Sequence, residues 1–472
     1  MRFTKILCTL GPATRTRAII DALAENGMNV ARINLSHGTR DEHRAVIRLI
    51  RDINGKRKTC GKPEIGILMD TRGPEIRTGD TDKPFVIVKG QDVIFSSHPR
   101  GDARSTVIEV NYDGFANDVR ETDRILIDNG EIILDVVSIE KNGDVLAKAR
   151  GGGIIGSRRH VNLPGADIDL PSITDADWED IAFGVREEAD FVALSFMRTA
   201  EDVTSVRQFL TEKKSSLQII SKIETKQAVE NIQEIVHASD AIMIARGDLG
   251  AELPFETLPV IQDEIVMLCR SLGKPVIVAT HMLESMIHQP TPTRAEVTDI
   301  AHAATTGADA TMLSGETASG KNPLLALDAM DRVLRATEQH LERFSLEGAQ
   351  PVQSERQARA EAAKILADST HATSLLVFTR TGQTARDLAK FRPHVPIFAF
   401  THSAEVARGL QVCYGVVPLQ MTLDRDPETT VLHAIDVCKQ SGSISVGDRV
   451  VVVSDAKAHE KLINTVQMRV IA

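Results

Sequence analysis

The sequence predicts an α/β chain: a (β/α)8 TIM barrel with an inserted β-barrel-like lid domain and a C-terminal α/β domain. Three observations carry this expectation. Eight short apolar runs alternate with segments of helical periodicity over the first three-quarters of the chain. More than 100 residues separate the third run from the fourth. A second, shorter strand–helix rhythm then begins past a polar stretch near residue 341.

The barrel runs are Thr4–Thr9, Asn29–Asn34, Ile65–Thr71, Asp190–Ser195, Gln218–Ile223, Asp240–Ala245, Pro275–Thr280 and Asp309–Ser314. Most are apolar on both faces, as strands of a parallel sheet covered on each side must be. Arg17–Asn26, Ala200–Lys213 and Leu258–Ser271 between them place apolar residues at helical spacing. Strands alternating with helices build parallel sheets, and eight such units close a barrel. The long interval holds Phe85-Val-Ile-Val, Val93-Ile-Phe, Ile125-Leu-Ile-Asp-Asn-Gly and Val145-Leu-Ala, punctuated by Gly and Asp turns. It reads as an antiparallel domain of hairpins, able to close over one barrel mouth. From about 341 a Glu/Gln/Ala-rich polar helix is expected. It leads to strands at Leu375–Thr379, Ile397–Phe400 and Val450–Val453, with a helix at Glu428–Gln440. The predicted domains are 1–73 with 171–340, 74–170, and 341–472.

A chain of 472 residues exceeds what one core organises. Its 42% hydrophobic and 25% charged residues are those of an ordinary globular protein. Aromatic residues make up 4%, with one tryptophan, Trp178, leaving few rings to stack on single-stranded nucleic acid. A net charge of -10 and a pI near 5.8 argue against nucleic acid or an anionic membrane as partner. A local basic pocket for a small anion is still compatible with both. The five cysteines are scattered and never form a C-x-x-C pair, which fits a reducing compartment. Phe3–Leu7 already reads as a strand, so no signal peptide is expected, and no apolar run approaches a span of ~20 residues. The expected location is the cytoplasm.

Polar residues gather where the barrel runs end: Arg32, Asn34 and Ser36; Asp70 and Thr71; Ser195; Lys222 and Glu224; Arg246 and Asp248; Thr280; Ser314 and Glu316. Barrel active sites sit at that C-terminal rim. Glu224 and Asp248, from neighbouring strands, suit Mg2+ or Mn2+, which prefer one or two carboxylates with waters and substrate oxygens. Taken alone they fit a salt-bridge network with Lys222 and Arg246 as well. Gly247 and Gly250 favour the metal reading, because they free backbone N–H groups to grip an anion. Lys222 can serve as a point charge on a phosphoryl group, with Arg32 and Arg246 as anion or loop clamps. Asn34, Ser36, Asp70 and Thr71 offer oxygens to a monovalent cation such as K+, or to a plain hydrogen-bond network.

Seven collinear blocks then carry a resemblance. They are Met28-Asn-Val-Ala-Arg-Ile-Asn-Leu-Ser-His-Gly, Asp70-Thr-Arg-Gly-Pro-Glu-Ile-Arg-Thr-Gly, Ser221-Lys-Ile-Glu, Ala245-Arg-Gly-Asp-Leu-Gly, Ala279-Thr-His-Met-Leu-Glu-Ser-Met, Pro292-Thr-Arg-Ala-Glu-Val and Met312-Leu-Ser-Gly-Glu-Thr-Ala. In this order the chain resembles the pyruvate kinase family. The resemblance implies transfer of phosphate from phosphoenolpyruvate to ADP, giving pyruvate and ATP in the last step of glycolysis. It implies Mg2+ on Glu224 and Asp248, and the substrate carboxylate on the Gly247 and Asp248 amides. Lys222 would neutralise the transferring group, and Thr280 would lie by the methylene face. K+ would sit among Asn34, Ser36, Asp70 and Thr71. Arg32, Asn34, His37, Pro12 and Arg159 would lie on the nucleotide side. The family's usual form is a homotetramer, and Glu75 at its position accompanies K+ dependence. Competing classes are a Mg2+-dependent aldolase or lyase and a non-catalytic metabolite sensor. The inserted domain and the Asn34/Ser36/Asp70 cluster weigh against the lyase; the retained Lys222, Glu224, Asp248 and Thr280 weigh against the sensor.

Several positions depart from the family pattern. Arg72 replaces a lysine, His281 stands where Gln is common, and Ser157-Arg-Arg-His puts His160 where glycine is usual. In the third domain, Thr379-Arg-Thr-Gly-Gln-Thr resembles an effector phosphate loop, with Thr379, Thr381, Gly382, Gln383 and Thr384 as contacts. The same segment suits a helix cap formed by Thr384. Ser454-Asp-Ala-Lys-Ala-His-Glu stands where a glycine-rich loop is usual. That favours a sugar monophosphate, a nucleotide or no effector over a bisphosphate.

Overall fold

The computed structural model describes residues 1–98, 106–119, 123–166, 168–340, 352–458 and 461–472, the side chains of 129 and 455–462 excepted. All eight expected runs are strands: Lys5–Leu10, Val30–Asn34, Gly66–Asp70, Phe191–Leu194, Gln218–Ile223, Ala241–Ala245, Val276–Ala279 and Ala310–Leu313. They close a barrel in chain order, every neighbouring pair parallel, with the first strand paired to both the second and the eighth. Burial on both faces explains why the runs lack alternation.

Several connecting helices start on threonines. Thr39, Thr174, Thr199 and Thr293 each accept the N–H three residues on, and Glu42, Asp177, Asp202 and Glu296 return the bond. Such caps begin each helix at a defined residue and keep these rim loops ordered. Below the barrel, Gly273 and Gly307 end two helices at φ +71° and +91°, in the left-handed region a side chain resists.

Among the described residues the insertion forms two sheets. Phe85–Ile87 pairs with Gly153–Ile155, and six further strands form a sheet with its own core around Phe95, Phe115 and Leu134. One pairing corrects the all-antiparallel expectation: Asp92–Ser96 and Thr106–Glu109 run parallel. Among the described residues the C-terminal unit builds one five-stranded sheet with helices packed on it. Ser374–Phe378 lies at its centre, flanked by Ile397–Thr401 with edge strand Val416–Gln420, and by Arg449–Ala458 with edge strand Lys461–Val470. Both edge strands were missed in the sequence. Pro418 argues against a strand, and an edge is the place where a missing N–H is tolerated. The expected polar helix from 341 begins in residues outside those described; the described helix is Glu355–Ser369.

One apolar cluster joins the inward-facing barrel residues, such as Leu7, Leu68 and Ile277, to a face of the C-terminal sheet through Leu375, Val377 and Val451. The barrel floor is therefore sealed by the C-terminal unit. Ion pairs rivet the seam: Arg392 takes both oxygens of Asp309 at 2.8 Å, and Arg408 reaches Asp190 at 2.7 Å and Glu64 at 3.1 Å.

Candidate active site

Because all eight strands run the same way, their last residues emerge at one rim, and the charged strand ends converge there. Lys222 is the hub. Its ammonium lies 2.7 Å from Ser195 Oγ, 2.9 Å from Glu224 Oε1 and 3.2 Å from Asp70 Oδ1. Asp70 Oδ2 accepts from Arg32 Nε at 2.6 Å, and Arg32 also donates to Thr9 Oγ1 at 3.0 Å. Burial works against the Lys222 charge, but Asp70 and Glu224 outweigh it and hold the ammonium above its ordinary pKa. Burial likewise opposes the Asp70 carboxylate, and Lys222 with Arg32 more than offsets it, leaving the group below its usual range.

Glu224 is fully buried, and that burial pushes its carboxyl up. Lys222 opposes the shift and the neighbouring Asp248 charge adds to it. Its Oε2 accepts the Phe196 N–H at 2.7 Å. Its Oε1 touches Lys222 at ion-pair distance but accepts no well-aligned hydrogen bond. Two cations, Lys222 and Arg32, thus face three carboxylates, Asp70, Glu224 and Asp248. A buried carboxylate oxygen with spare capacity beside a second carboxylate, in a site with one excess negative charge, fits a divalent cation. No group of three or more His, Cys, Asp or Glu able to hold a metal occurs among the described residues.

The salt-bridge alternative is half realised, since Lys222 meets Glu224 whereas Arg246 turns away from Asp248. Arg246 donates to Thr280 O at 2.6 Å, Ala279 O at 3.2 Å and Asp299 Oδ1 at 2.7 Å. Of its two expected roles, loop clamp and anion clamp, it occupies the first. It secures a strained turn, with Thr280 at φ +66° and His281 at +55°. Thr280 Oγ1 accepts the Gly247 N–H at 2.7 Å, so the expected anion-gripping amide is directed at Thr280. Glu316 ties loops together, accepting from Leu283 N–H at 2.9 Å and Ser314 N–H at 2.7 Å.

The expected monovalent-ion residues lie on paired strands, with Asn34 opposite Asp70. Asn34 Oδ1 accepts the Ser36 N–H at 3.1 Å, and Thr71 Oγ1 accepts the Ser195 N–H at 3.1 Å. Glu75 pairs with Arg77 at 2.7 Å. On the expected nucleotide side Pro12, His37 and Arg159 are exposed, and Arg159 meets Asp128 of the insertion at 3.1 Å. Among the departures, Arg72 lies 3.3 Å from Asp180, and His281 is exposed. His160 of the insertion brings Nδ1 to 3.7 Å from Asp248 and its ring edge-on to Phe196. Phe196 was missed in the sequence. It sits at φ +54°, and nothing in a hydrophobic residue type signals that its amide will hold a carboxylate.

In the C-terminal unit, Gly382 caps the helix Gln383–Lys390, correcting the expectation that Thr384 would; Thr384 lies inside the first turn. Thr379 Oγ1 accepts the Gly382 N–H at 2.9 Å, Gln383 donates to Asp387 at 3.2 Å, and Thr381 is exposed. Ser454 lies within the strand Arg449–Ala458, which pairs antiparallel with Lys461–Val470.

Residues 1–327 match the family description "Pyruvate kinase, barrel domain" and residues 357–470 match "Pyruvate kinase, alpha/beta domain". The chain is 43% identical over 458 residues to plastidial pyruvate kinase 2 of Arabidopsis thaliana, covering 96% of this chain and 78% of the plant protein. It is 40% identical to the pyruvate kinase of Dictyostelium discoideum, covering 96% and 90% of the two chains. The crystal structure of a pyruvate kinase from Cryptosporidium parvum superposes with a TM-score of 0.91 at 35% identity, covering 100% of this chain and 96% of that one.

Proposed function

The chain belongs to the pyruvate kinase family, and on that premise we propose how its residues move a phosphoryl group from phosphoenolpyruvate to ADP, yielding pyruvate and ATP. One observation carries the residue-level account: Lys222 stands with its charge secured between Asp70, Glu224 and Ser195, at the rim where a phosphoryl group would enter.

Glu224 and Asp248 would hold Mg2+ or Mn2+, which supplies Lewis-acid charge to the substrate's oxygens when bound. Asn34, Ser36, Asp70 and Thr71 would hold K+. Lys222 neutralises the transferring group and then the enolate oxygen left behind; phosphoryl transfer needs such charge placement more than covalent help. The Gly247 and Asp248 amides receive the substrate carboxylate, which would replace Thr280 Oγ1 as the acceptor of the Gly247 N–H. That exchange frees the Thr280 hydroxyl beside the methylene carbon, where a proton must arrive. Arg32, Asn34, His37, Pro12 and Arg159 line the nucleotide side, and the insertion closes to exclude water.

We further propose regulation through the C-terminal unit, with Thr379 and Thr381–Thr384 taking the phosphate of a sugar monophosphate or nucleotide. A homotetramer and a reducing, cytoplasmic setting complete the reading. All five cysteines are unpaired, and no described helix is long and apolar enough to cross a membrane. The test is an assay of pyruvate release from phosphoenolpyruvate with ADP, Mg2+ and K+, alongside Mn2+ binding followed by electron paramagnetic resonance. Turnover that collapses together with Mn2+ affinity in Glu224→Gln supports the assignment. A variant that binds Mn2+ as tightly as the parent would remove Glu224 from the metal site.

A further inference from the structure

At the barrel floor, away from the active-site rim, five cations line one crevice: Arg270, Lys274, Arg386, Lys390 and Arg392, with Asp309 as the one carboxylate among them. Asp309 is saturated. It takes both Arg392 bonds and also the N–H groups of Val276 at 3.1 Å and Tyr414 at 3.0 Å. The other four cations make no ion pair among the described residues. Arg270 donates to Thr306 O at 3.1 Å, Lys274 to Ser239 O and His237 O, and Arg386 to Gln218 Oε1 at 2.9 Å. Lys390 lies over the Phe391 ring. Lys390 and Arg392 are 7% and 8% exposed, and the Nε atoms of Arg270 and Arg392 are buried with no hydrogen-bond partner.

These charges crowd one another. Burial lowers the pKa values of Arg270, Lys274 and Lys390, and Arg392 lowers Arg270 further. Asp240 and Asp387 act on Lys274 and Lys390 from beside the crevice, but no carboxylate contacts any of the four at ion-pair distance among the described residues, and like charges held together cost stability unless an anion joins them. They also come from two units. Arg270 lies in the last turn of a barrel helix and Lys274 just past its cap, before the strand Val276–Ala279, whereas Arg386, Lys390 and Arg392 belong to the helix Gln383–Lys390 and the turn after it.

We propose that this crevice binds a dianionic oxyanion, either phosphate or the phosphate group of a monoester, and so clamps the C-terminal unit to the barrel. Guanidinium forks and ammonium point charges are the donors such a group requires. The crevice has an accessible volume of about 10 Å³, room for one water-sized group and too little for a whole phosphate. The anion therefore sits at the mouth, with any ester substituent in solvent. The Thr379–Thr384 loop lies at the other end of the same helix, so the two sites are separable.

The test is calorimetric titration of inorganic phosphate, with thermal unfolding in phosphate against chloride at equal ionic strength. Saturable binding is expected, with a higher melting temperature in phosphate than in chloride. The double variant Arg270→Gln/Lys390→Gln should bind at least tenfold more weakly, yet unfold no earlier than the parent without phosphate, since it removes repulsion. Thr381→Val and Lys222→Met, which alter the loop and the rim, should bind as the parent does. Titrating AMP and glucose 6-phosphate in competition separates free ion from monoester: whichever binds tightest names the source. Equal effects of phosphate and chloride, undiminished binding by the double variant, or loss of binding in Lys222→Met would each overturn the proposal.

Discussion

Arg246 donates to the carbonyl of Thr280 at 2.6 Å, so a guanidinium from one strand end holds in place a β-branched residue at φ +66° on the next. Such backbone costs about 1–3 kcal/mol and persists only where neighbours over-determine it. Arg246→Lys keeps the charge but cannot span Ala279 O, Thr280 O and Asp299 together. Steady-state kinetics should show kcat reduced by roughly 10–100-fold, as misplacement of a reacting group by about 1 Å produces, with a smaller change in KM for phosphoenolpyruvate. A change confined to KM would return Arg246 to the role of anion clamp.

Gly73, where the chain leaves the barrel for the insertion, has φ +73°, and an added Cβ would lie 2.7 Å from Phe196 Cδ2 and 2.8 Å from Ser195 Cβ. Gly73→Ala must displace the residue whose amide orients Glu224 and the one whose hydroxyl meets Lys222. The expected outcome is a loss of about 1–3 kcal/mol in stability, together with weaker Mn2+ binding. Unfolding and metal titration of one preparation check both.

Lys5 is buried at the seam, donating to Val416 O, and burial, with the Arg2 charge next, lowers its pKa from 10.5 to about 7. The unfolded chain keeps that proton up to about 10.5, so between these values it binds more protons than the folded chain and stability rises with pH. At roughly 1.4 kcal/mol per pH unit, Lys5→Met should be more stable than the parent by a few kcal/mol at pH 7, the gap closing towards pH 10. Denaturant midpoints across that range test it; a gap that widens with pH would reverse the sign.

Replacing K+ with a larger organic cation should abolish most turnover, and Glu75→Lys, which places a cation on the chain itself, should lessen the dependence. Rates in K+-free buffer with and without added KCl measure both. Full activity of the parent without K+ would remove the monovalent site from the account.

Much of the site was legible because a parallel barrel aligns its strand ends: once eight runs were recognised, Lys222, Glu224, Asp248 and Thr280 had to share a rim. What pairs with what was not legible. Arg246 had two roles open to it, and the choice fell to Asp299 on the helix Arg294–Thr306, a packing relation no local pattern encodes. Phe196 acts through its backbone, so its residue type carries no trace of its task. The edge strand Val416–Gln420 was hidden by Pro418, whose tolerance depends on having one free side.

By itself, then, the sequence determined the eight-strand rhythm, the interruption after the third strand, the chemistry of the rim and the family those motifs resemble, because periodicity and strand-end polarity are local properties. The tertiary structure decided that Lys222 would be shared among Asp70, Glu224 and Ser195, that Thr280 would be held in a left-handed turn, and that cations from two units would meet at the floor. Those outcomes depend on distances between segments far apart in the chain, and on burial that only the closed barrel and its sealed floor create.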